Sequence, residues 1–141
     1  MEIKEDIKIW IENKVDKVGF APVDRFEDAP ETHHPERILQ GARSVIVYGR
    51  MIPRGVMKSP DYGKYFLHRS YHSVYPYLDE LGYSLATYLE RKTGELAVQA
   101  PSYGPMVFHG REPWGVLSLK HAAEKAGLGG FFQMVSTCSR C

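Results

Sequence analysis

Apolar residues recur at spacings of three and four in two stretches of the chain, a pattern typical of amphipathic helices. In the first stretch the pattern runs through Ile3, Ile7, Trp10, Ile11, Val15 and Val18, and it predicts a helix over residues 2–16. The second predicts a longer helix over residues 67–92, with a stripe of Val74, Leu78, Leu81, Leu85 and Leu89. Because Pro76 has no backbone N–H, this helix either becomes regular near Pro76 or is kinked there.

Short apolar runs predict strands at residues 18–23, 43–49 and 95–100. The middle run is continuous and rich in branched side chains, which favours a central strand buried on both faces. Between the first two strands we interpret His33-His34-Pro35 as a surface turn before a short helix at residues 36–40. Pro and Gly residues break the pattern over residues 51–65, which predicts a long loop. The expected fold is α+β, a small sheet with packed helices, in a single domain spanning residues 1–141.

Composition narrows the class of protein. The chain has 141 residues, of which 43% are hydrophobic and 25% charged, as in an ordinary globular domain. Its 18 Lys and Arg nearly balance 17 Asp and Glu, so no net field favours binding to tRNA or to an anionic membrane. No run approaches the roughly 18 apolar residues of a membrane span, and the first residues do not resemble a signal peptide. We therefore expect a cytoplasmic protein.

The segment from Ser118 to Gly130 combines a helix of small residues with a glycine-rich end. Ser118 can cap the helix, and Gly127 can adopt the left-handed conformation that ends it. Leu119, Ala122, Ala123 and Ala126 give the helix one face made mostly of methyl groups. Such a face permits either close helix-to-sheet packing or the close approach of a flat ligand.

Two sets of side chains could bind a metal. Cys138 and Cys141 form a C-x-x-C pair, which in a reducing compartment indicates metal or redox chemistry before a structural disulfide. His68 and His72 lie four residues apart, a spacing at which two imidazoles on one helix face can share a metal. The alternative for this pair is an ordinary surface or hydrogen-bonded role. A small zinc protein that uses both cysteines and two histidines is a further hypothesis.

The run L-S-L-K-H-A-A-E-K-A-G-L-G at residues 117–129 resembles a signature of the epoxyqueuosine reductase-like iron–sulfur proteins, which are relatives of the reductive dehalogenases. Three weaker stretches agree with this family in the same order. They are V-G-F-A-P-V at residues 18–23, G-A-R-S-V-I-V at residues 41–47, and R-S-Y-H at residues 69–72, which is similar to the family's R-D-Y-H. The resemblance covers the part of the family that binds cobalamin and precedes its ferredoxin-type clusters.

The resemblance implies a nitroreductase-like fold that holds a cobalamin over a sheet, with iron–sulfur clusters as electron donors. It places Gly127, Leu128 and Gly129 against the corrinoid, because glycine lets main chain approach a flat ring closely. Together with Tyr103, which lies in a predicted turn where a phenol could contact a flat cofactor, the other residues with predicted roles fall into three groups: Ser118, His121, His72 and Tyr103 as cofactor-binding, Tyr71 and Gln99 at catalytic positions, and Cys138 and Cys141 as metal ligands.

Two departures from the family pattern bear on function. Gln99 occupies the position of a family carboxylate that is the proposed proton donor, and an amide cannot act as a general acid at neutral pH. Cys138 and Cys141 supply two thiolates where a cluster needs four ligands, so another chain or a further segment must complete any iron–sulfur site. The hypotheses are a redox domain that binds a corrinoid or similar flat cofactor, and a non-catalytic dimeric remnant or corrinoid-binding module. Because three strands make a small sheet, we expect a homodimer.

Overall fold

A computed structural model describes residues 2–102 and 106–129. Tyr103, Cys138 and Cys141, three residues with predicted roles, lie outside this range. The described chain mixes helices with small antiparallel sheets, which confirms the α+β class. Its elements are α1 (Ile3–Ile11), β1 (Lys17–Pro22), β2 (Ser44–Gly49), α2 (Arg54–Lys58), α3 (Gly63–Thr93), β3 (Met106–His109), β4 (Glu112–Gly115) and α4 (Leu119–Lys125). Short 3-10 helices occur at Val23–Phe26, Glu31–His33 and Pro35–Arg37.

Contacts along the chain define two compact units. The first unit contains α1, β1, β2 and α4, from three separate segments of sequence. β1 and β2 pair antiparallel, with Lys17 opposite Gly49 and Pro22 opposite Ser44, and α4 packs on both strands. Among its described residues, the buried apolar side chains of this unit are Ile7, Ile11, Ala21, Phe26, Ala122 and Ala123. Burial of apolar surface on these elements is therefore what holds the unit together.

The first helix is shorter than its apolar pattern predicts. It ends at Ile11 instead of residue 16, because Glu12 leaves the helical conformation with ψ of 137° and Asn13 follows in a left-handed conformation with φ of 65°. Asparagine tolerates this conformation better than most residues and often ends a helix. Lys14 Nζ then donates a hydrogen bond to the Trp10 carbonyl near the end of the helix. The local conformations of Glu12 and Asn13 thus override the apolar spacing that continues through Val15.

The prediction that residues 43–49 form a central strand buried on both faces is wrong. In the part of the chain that the structure describes, β2 pairs with β1 alone. Ser44 is exposed, and the other residues of β2 are only half-buried. A continuous apolar run also suits a short strand of a two-stranded sheet, since its intermediate exposure still removes much apolar surface from water.

The second unit contains α2, α3, β3 and β4. α3 is 31 residues long, includes Pro76, and buries Leu81, Gly82 and Leu85. Gly94 ends it with φ of 74° and donates its N–H to the Glu90 carbonyl. The long helix predicted over residues 67–92 is thus confirmed, although it begins earlier, and α2 lies within the predicted loop. None of the helices in the described ranges has the length and apolar character needed to span a bilayer.

The strand predicted at residues 95–100 does not form. The segment is coil, and the side chains of Leu96 and Val98 are 74% and 52% exposed. Side chains of α3 bind its backbone instead: Thr93 Oγ1 accepts from the Glu95 N–H at 3.1 Å, and Glu90 Oε1 accepts from the Ala97 N–H at 3.0 Å. These acceptors replace the ladder that a neighbouring strand would have supplied.

A β-hairpin that was not predicted joins β3 to β4. His109 lies opposite Glu112 across a two-residue turn, and Gly110 has φ of 65°, as the first central position of a type II′ turn requires. The prediction for His33-His34-Pro35 is also wrong at His33, which is 5% exposed and ends a 3-10 helix. The short helix expected at residues 36–40 is a 3-10 turn at Pro35–Arg37.

Candidate functional site

The predicted cap of α4 is confirmed. The Ser118 hydroxyl oxygen accepts a hydrogen bond from the His121 backbone N–H at 3.5 Å, and it lies 2.7 Å from His121 Nδ1. The hydroxyl can donate to Nδ1 when the imidazole carries its proton on Nε2. Both residues are exposed. The contact therefore fixes one ring orientation at the exposed N-terminal end of α4.

The C-terminal end of α4 forms a Schellman motif. The Leu128 N–H donates to the Ala123 carbonyl and the Gly127 N–H to the Glu124 carbonyl, both at 2.9 Å. Gly127 has φ of 75°, the left-handed conformation predicted for it. This closure turns the main chain sharply and presents Gly127, Leu128 and Gly129 as one short segment.

The small-residue face of α4 is occupied by the protein itself. Ala122 and Ala123 are buried, and Gly19 on β1 comes so close that an added Cβ would lie 2.5 Å from the Ala126 carbonyl oxygen. The same Cβ would lie 2.9 Å from Leu128 Cδ2. Of the two roles expected for this face, the structure shows close packing of the helix on the strand.

The glycine segment after α4 differs from the small-residue face of the helix, which is packed against β1. Among the described residues, chain neighbours aside, a Cβ built on Gly127 or on Gly129 would meet no atom within 4 Å. Leu128 between them is half-buried, and Lys17 Nζ lies 3.5 Å from its carbonyl oxygen. In this unit, the edge formed by residues 127–129, which we call the glycine edge, is therefore where a ligand could reach main chain.

Charged side chains secure the last turn of α4 beside the glycine edge. Lys125 Nζ lies 2.8 and 2.9 Å from the two carboxylate oxygens of Asp28. Arg25 Nη1 donates to the Lys125 carbonyl oxygen at 2.7 Å, which satisfies one of the acceptors that a helix end leaves unpaired. The hydrogen bond from Lys125 holds the pKa of Asp28 below its usual value of 3.8. These contacts link α4 to the segment that follows β1.

The remaining predicted residues lie in the second unit. Tyr71 is half-buried in α3 and stacks on Tyr75, with ring centroids 5.3 Å apart and planes 3° from parallel. His72 is exposed on the same helix, and Gln99 is half-buried in the coil after it. The predicted cofactor-binding residues between positions 118 and 129 thus lie together around α4, whereas Tyr71, His72 and Gln99 lie elsewhere in the chain.

His68 and His72 form a close pair on the exposed surface of α3. Their Nε2 atoms are 3.1 Å apart, and the rings are edge-on, with centroids 4.7 Å apart and planes at 77°. The spacing of four residues in a helix accounts for this contact. Both side chains are exposed, so neither ring is needed to fill a core.

Three aromatic rings in the second unit, His33, His109 and Trp114, form a cluster that was not predicted, which we call the ring cluster. His33 Nε2 lies 2.8 Å from His109 Nε2, and the His33 ring stacks on Trp114 with centroids 5.1 Å apart. His33 Nδ1 is buried and has no hydrogen-bond partner among the described residues. The two histidines are 76 residues apart, so no local spacing signals the contact. The pairing depends on the hairpin, whose turn at Gly110 was the available clue.

No protein-family model, curated protein or solved structure matches the chain. The resemblance to the reductase family therefore stays a prediction based on the motifs themselves. Within residues 2–102 and 106–129, no group of three or more His, Cys, Asp or Glu side chains is arranged to hold a metal ion.

Proposed function

We propose that the chain is a redox domain related to the cobalamin-dependent iron–sulfur reductases and that it binds a corrinoid, or a similarly flat cofactor, at the glycine edge. The observation that supports this proposal is the space beside Gly127 and Gly129 that no described residue fills, next to a helix face that is packed against the protein. A flat macrocycle with an amide-bearing rim needs main-chain donors and acceptors without intervening side chains.

The residues around α4 fit such a cofactor in part. Gly127 and Gly129 would leave main chain accessible, and Ser118 and His121 would supply a hydroxyl and an imidazole at the other end of the helix. A helix of seven residues is about 10 Å long, so these two polar groups and the glycine edge would meet different parts of a large ligand. When bound, a corrinoid supplies a redox-active cobalt centre.

A second candidate function is a corrinoid-binding module without reductase activity. Gln99 favours it, because the side-chain amide at the position of the family's carboxylate cannot donate a proton as an acid. Anaerobic reconstitution with iron and sulfide separates the two candidates. Stoichiometric iron on a cofactor-binding chain supports the redox domain, whereas cofactor binding without iron supports the module.

A titration with hydroxocobalamin under anaerobic conditions tests the proposed binding. We expect a saturable change in the visible spectrum with one equivalent per chain. Gly129→Val should abolish the change, because the new side chain enters the space reserved for the cofactor. In the part of the chain that the structure describes, an added Cβ at Gly129 has no atom within 4 Å beyond its chain neighbours, so this substitution should leave the fold intact, as circular dichroism can verify.

Gly55→Val is the matched control. Gly55 lies in α2 of the second unit, and a Cβ there would likewise meet no atom within 4 Å from the described residues outside its own helical turn. This variant should bind hydroxocobalamin as the parent does. A parent chain that gives no saturable spectral change would refute corrinoid binding, and equal binding by the Gly129→Val variant would refute its placement at the glycine edge.

A further inference from the structure

The imidazoles of His68 and His72 have the geometry of two adjacent ligands of one metal ion. Zn–N bonds to histidine are about 2.0–2.1 Å, so two nitrogens on one ion lie about 2.9 Å apart at a right angle and about 3.3 Å apart in a tetrahedron. The observed separation of the two Nε2 atoms is 3.1 Å, between these limits. Both nitrogens can therefore reach one ion after a shift of a few tenths of an ångström.

From this geometry we propose that His68 and His72 form a bidentate surface site for a divalent transition-metal ion of the zinc and copper class. Imidazole nitrogen suits such ions, whereas Mg²⁺ and Ca²⁺ prefer oxygen ligands. Both rings are exposed, so water can occupy the remaining coordination positions. The proposal is independent of corrinoid binding, and it assigns His72 to this pair instead of to the cofactor.

The position of the pair in α3 gives the metal a structural consequence. Both rings project from one continuous helix, so their spacing does not depend on contacts with another element. Pro76 follows His72 by four residues and has no N–H to donate to the His72 carbonyl, as a helix would otherwise require. An ion that bridges His68 and His72 restrains the turn next to this missing hydrogen bond. Metal binding should therefore stabilise the helix.

Calorimetric titration with Zn²⁺ alone tests the site. The full chain should carry Cys138→Ser and Cys141→Ser, so that thiolates do not compete for the metal. We expect one saturable equivalent of Zn²⁺ together with a rise in melting temperature. His68→Gln and His72→Gln should each weaken binding at least tenfold and remove the rise, because a single imidazole loses the chelate. Glutamine is a good helix former, so either variant should keep the helix content of the parent.

His34→Gln and His109→Gln are the control variants, since they alter histidines outside α3. The first should bind Zn²⁺ as the parent does. Loss of binding in His109→Gln, with binding retained in His68→Gln, would place the metal at the ring cluster and overturn the proposal. Cu²⁺ provides a spectroscopic check: electron paramagnetic resonance should show coupling to two nitrogens, and to one fewer in either α3 variant. No saturable binding of either ion would also overturn the proposal.

Discussion

Asp28 accepts hydrogen bonds from Lys125 Nζ through both carboxylate oxygens, and this contact depresses the pKa of the acid. Because the folded protein favours the ionised form, the contact contributes stability above the unfolded pKa near 3.8. That contribution is lost as the pH falls through the lower pKa of the folded state. The Asp28 side chain is 73% exposed, so the contribution is that of a screened surface pair.

We therefore expect Asp28→Asn to lower the free energy of unfolding slightly near pH 6. The difference from the parent should shrink as the pH is lowered below 3.8, because the parent's own carboxylate becomes protonated there. Urea denaturation of both proteins at several pH values between 6 and 2 measures this difference. Parallel stability curves over the whole range would show that the ion pair with Lys125 has no role in the pH dependence.

At the scale of elements, the β3–β4 hairpin supplies the partner that buried His33 needs. His109 on β3 provides the 2.8 Å contact to His33 Nε2, and Trp114 on β4 provides the stacked ring. His109→Val should lower the free energy of unfolding by about 1–3 kcal/mol, because it leaves the second nitrogen of a buried imidazole without a partner. Urea denaturation followed by Trp114 fluorescence measures the effect, with Trp10→Phe in both the parent and the variant.

Phe108→Val is the control for the hairpin. Phe108 precedes His109 on β3, its side chain is 63% exposed, and valine suits a strand at either position. If Phe108→Val lowers the free energy of unfolding about as much as His109→Val does, strand propensity, and not the histidine pair, determines the stability of the hairpin. If Phe108→Val lowers it much less, the additional loss in His109→Val is due to the contact with His33.

Features governed by neighbouring residues were predictable at this scale, whereas features governed by distant contacts were not. The Ser118 cap and the left-handed Gly127 depend on residues within one turn, so the sequence predicted both. The stripe that ends at Leu89 likewise located α3. The predicted third strand failed because strand formation needs a partner ladder, and side chains of α3 accept hydrogen bonds from the Glu95 and Ala97 N–H groups of that segment instead.

The same distinction holds for the whole molecule and its candidate sites. Sequence spacing indicated that His68 and His72 share a helix face, and the structure adds the distance that makes a shared metal geometrically possible. Sequence spacing could not indicate that His33 contacts His109, because that contact requires the hairpin to fold first. Sequence spacing also left two roles open for the small residues of α4, namely packing on a sheet and contact with a flat ligand. The close approach of Gly19 shows that they pack on the sheet.

The first unit is assembled from three segments of chain, and Gly19 lies where two of them meet. Gly19→Ala should destabilise the unit by about 1–3 kcal/mol, because the added Cβ would lie 2.5 Å from the Ala126 carbonyl oxygen and main chain must shift to admit it. Urea denaturation followed by Trp10 fluorescence, with Trp114→Phe in every protein, measures the loss. Gly49→Ala on β2 is the matched control, since its Cβ would meet no atom of a described residue within 4 Å beyond its chain neighbours, and it should change stability by no more than about 0.5 kcal/mol. Equal effects of the two substitutions would show that α4 does not pack on β1 as closely as the Gly19 contact requires. In that case the small-residue face of α4 would again be available to a flat ligand.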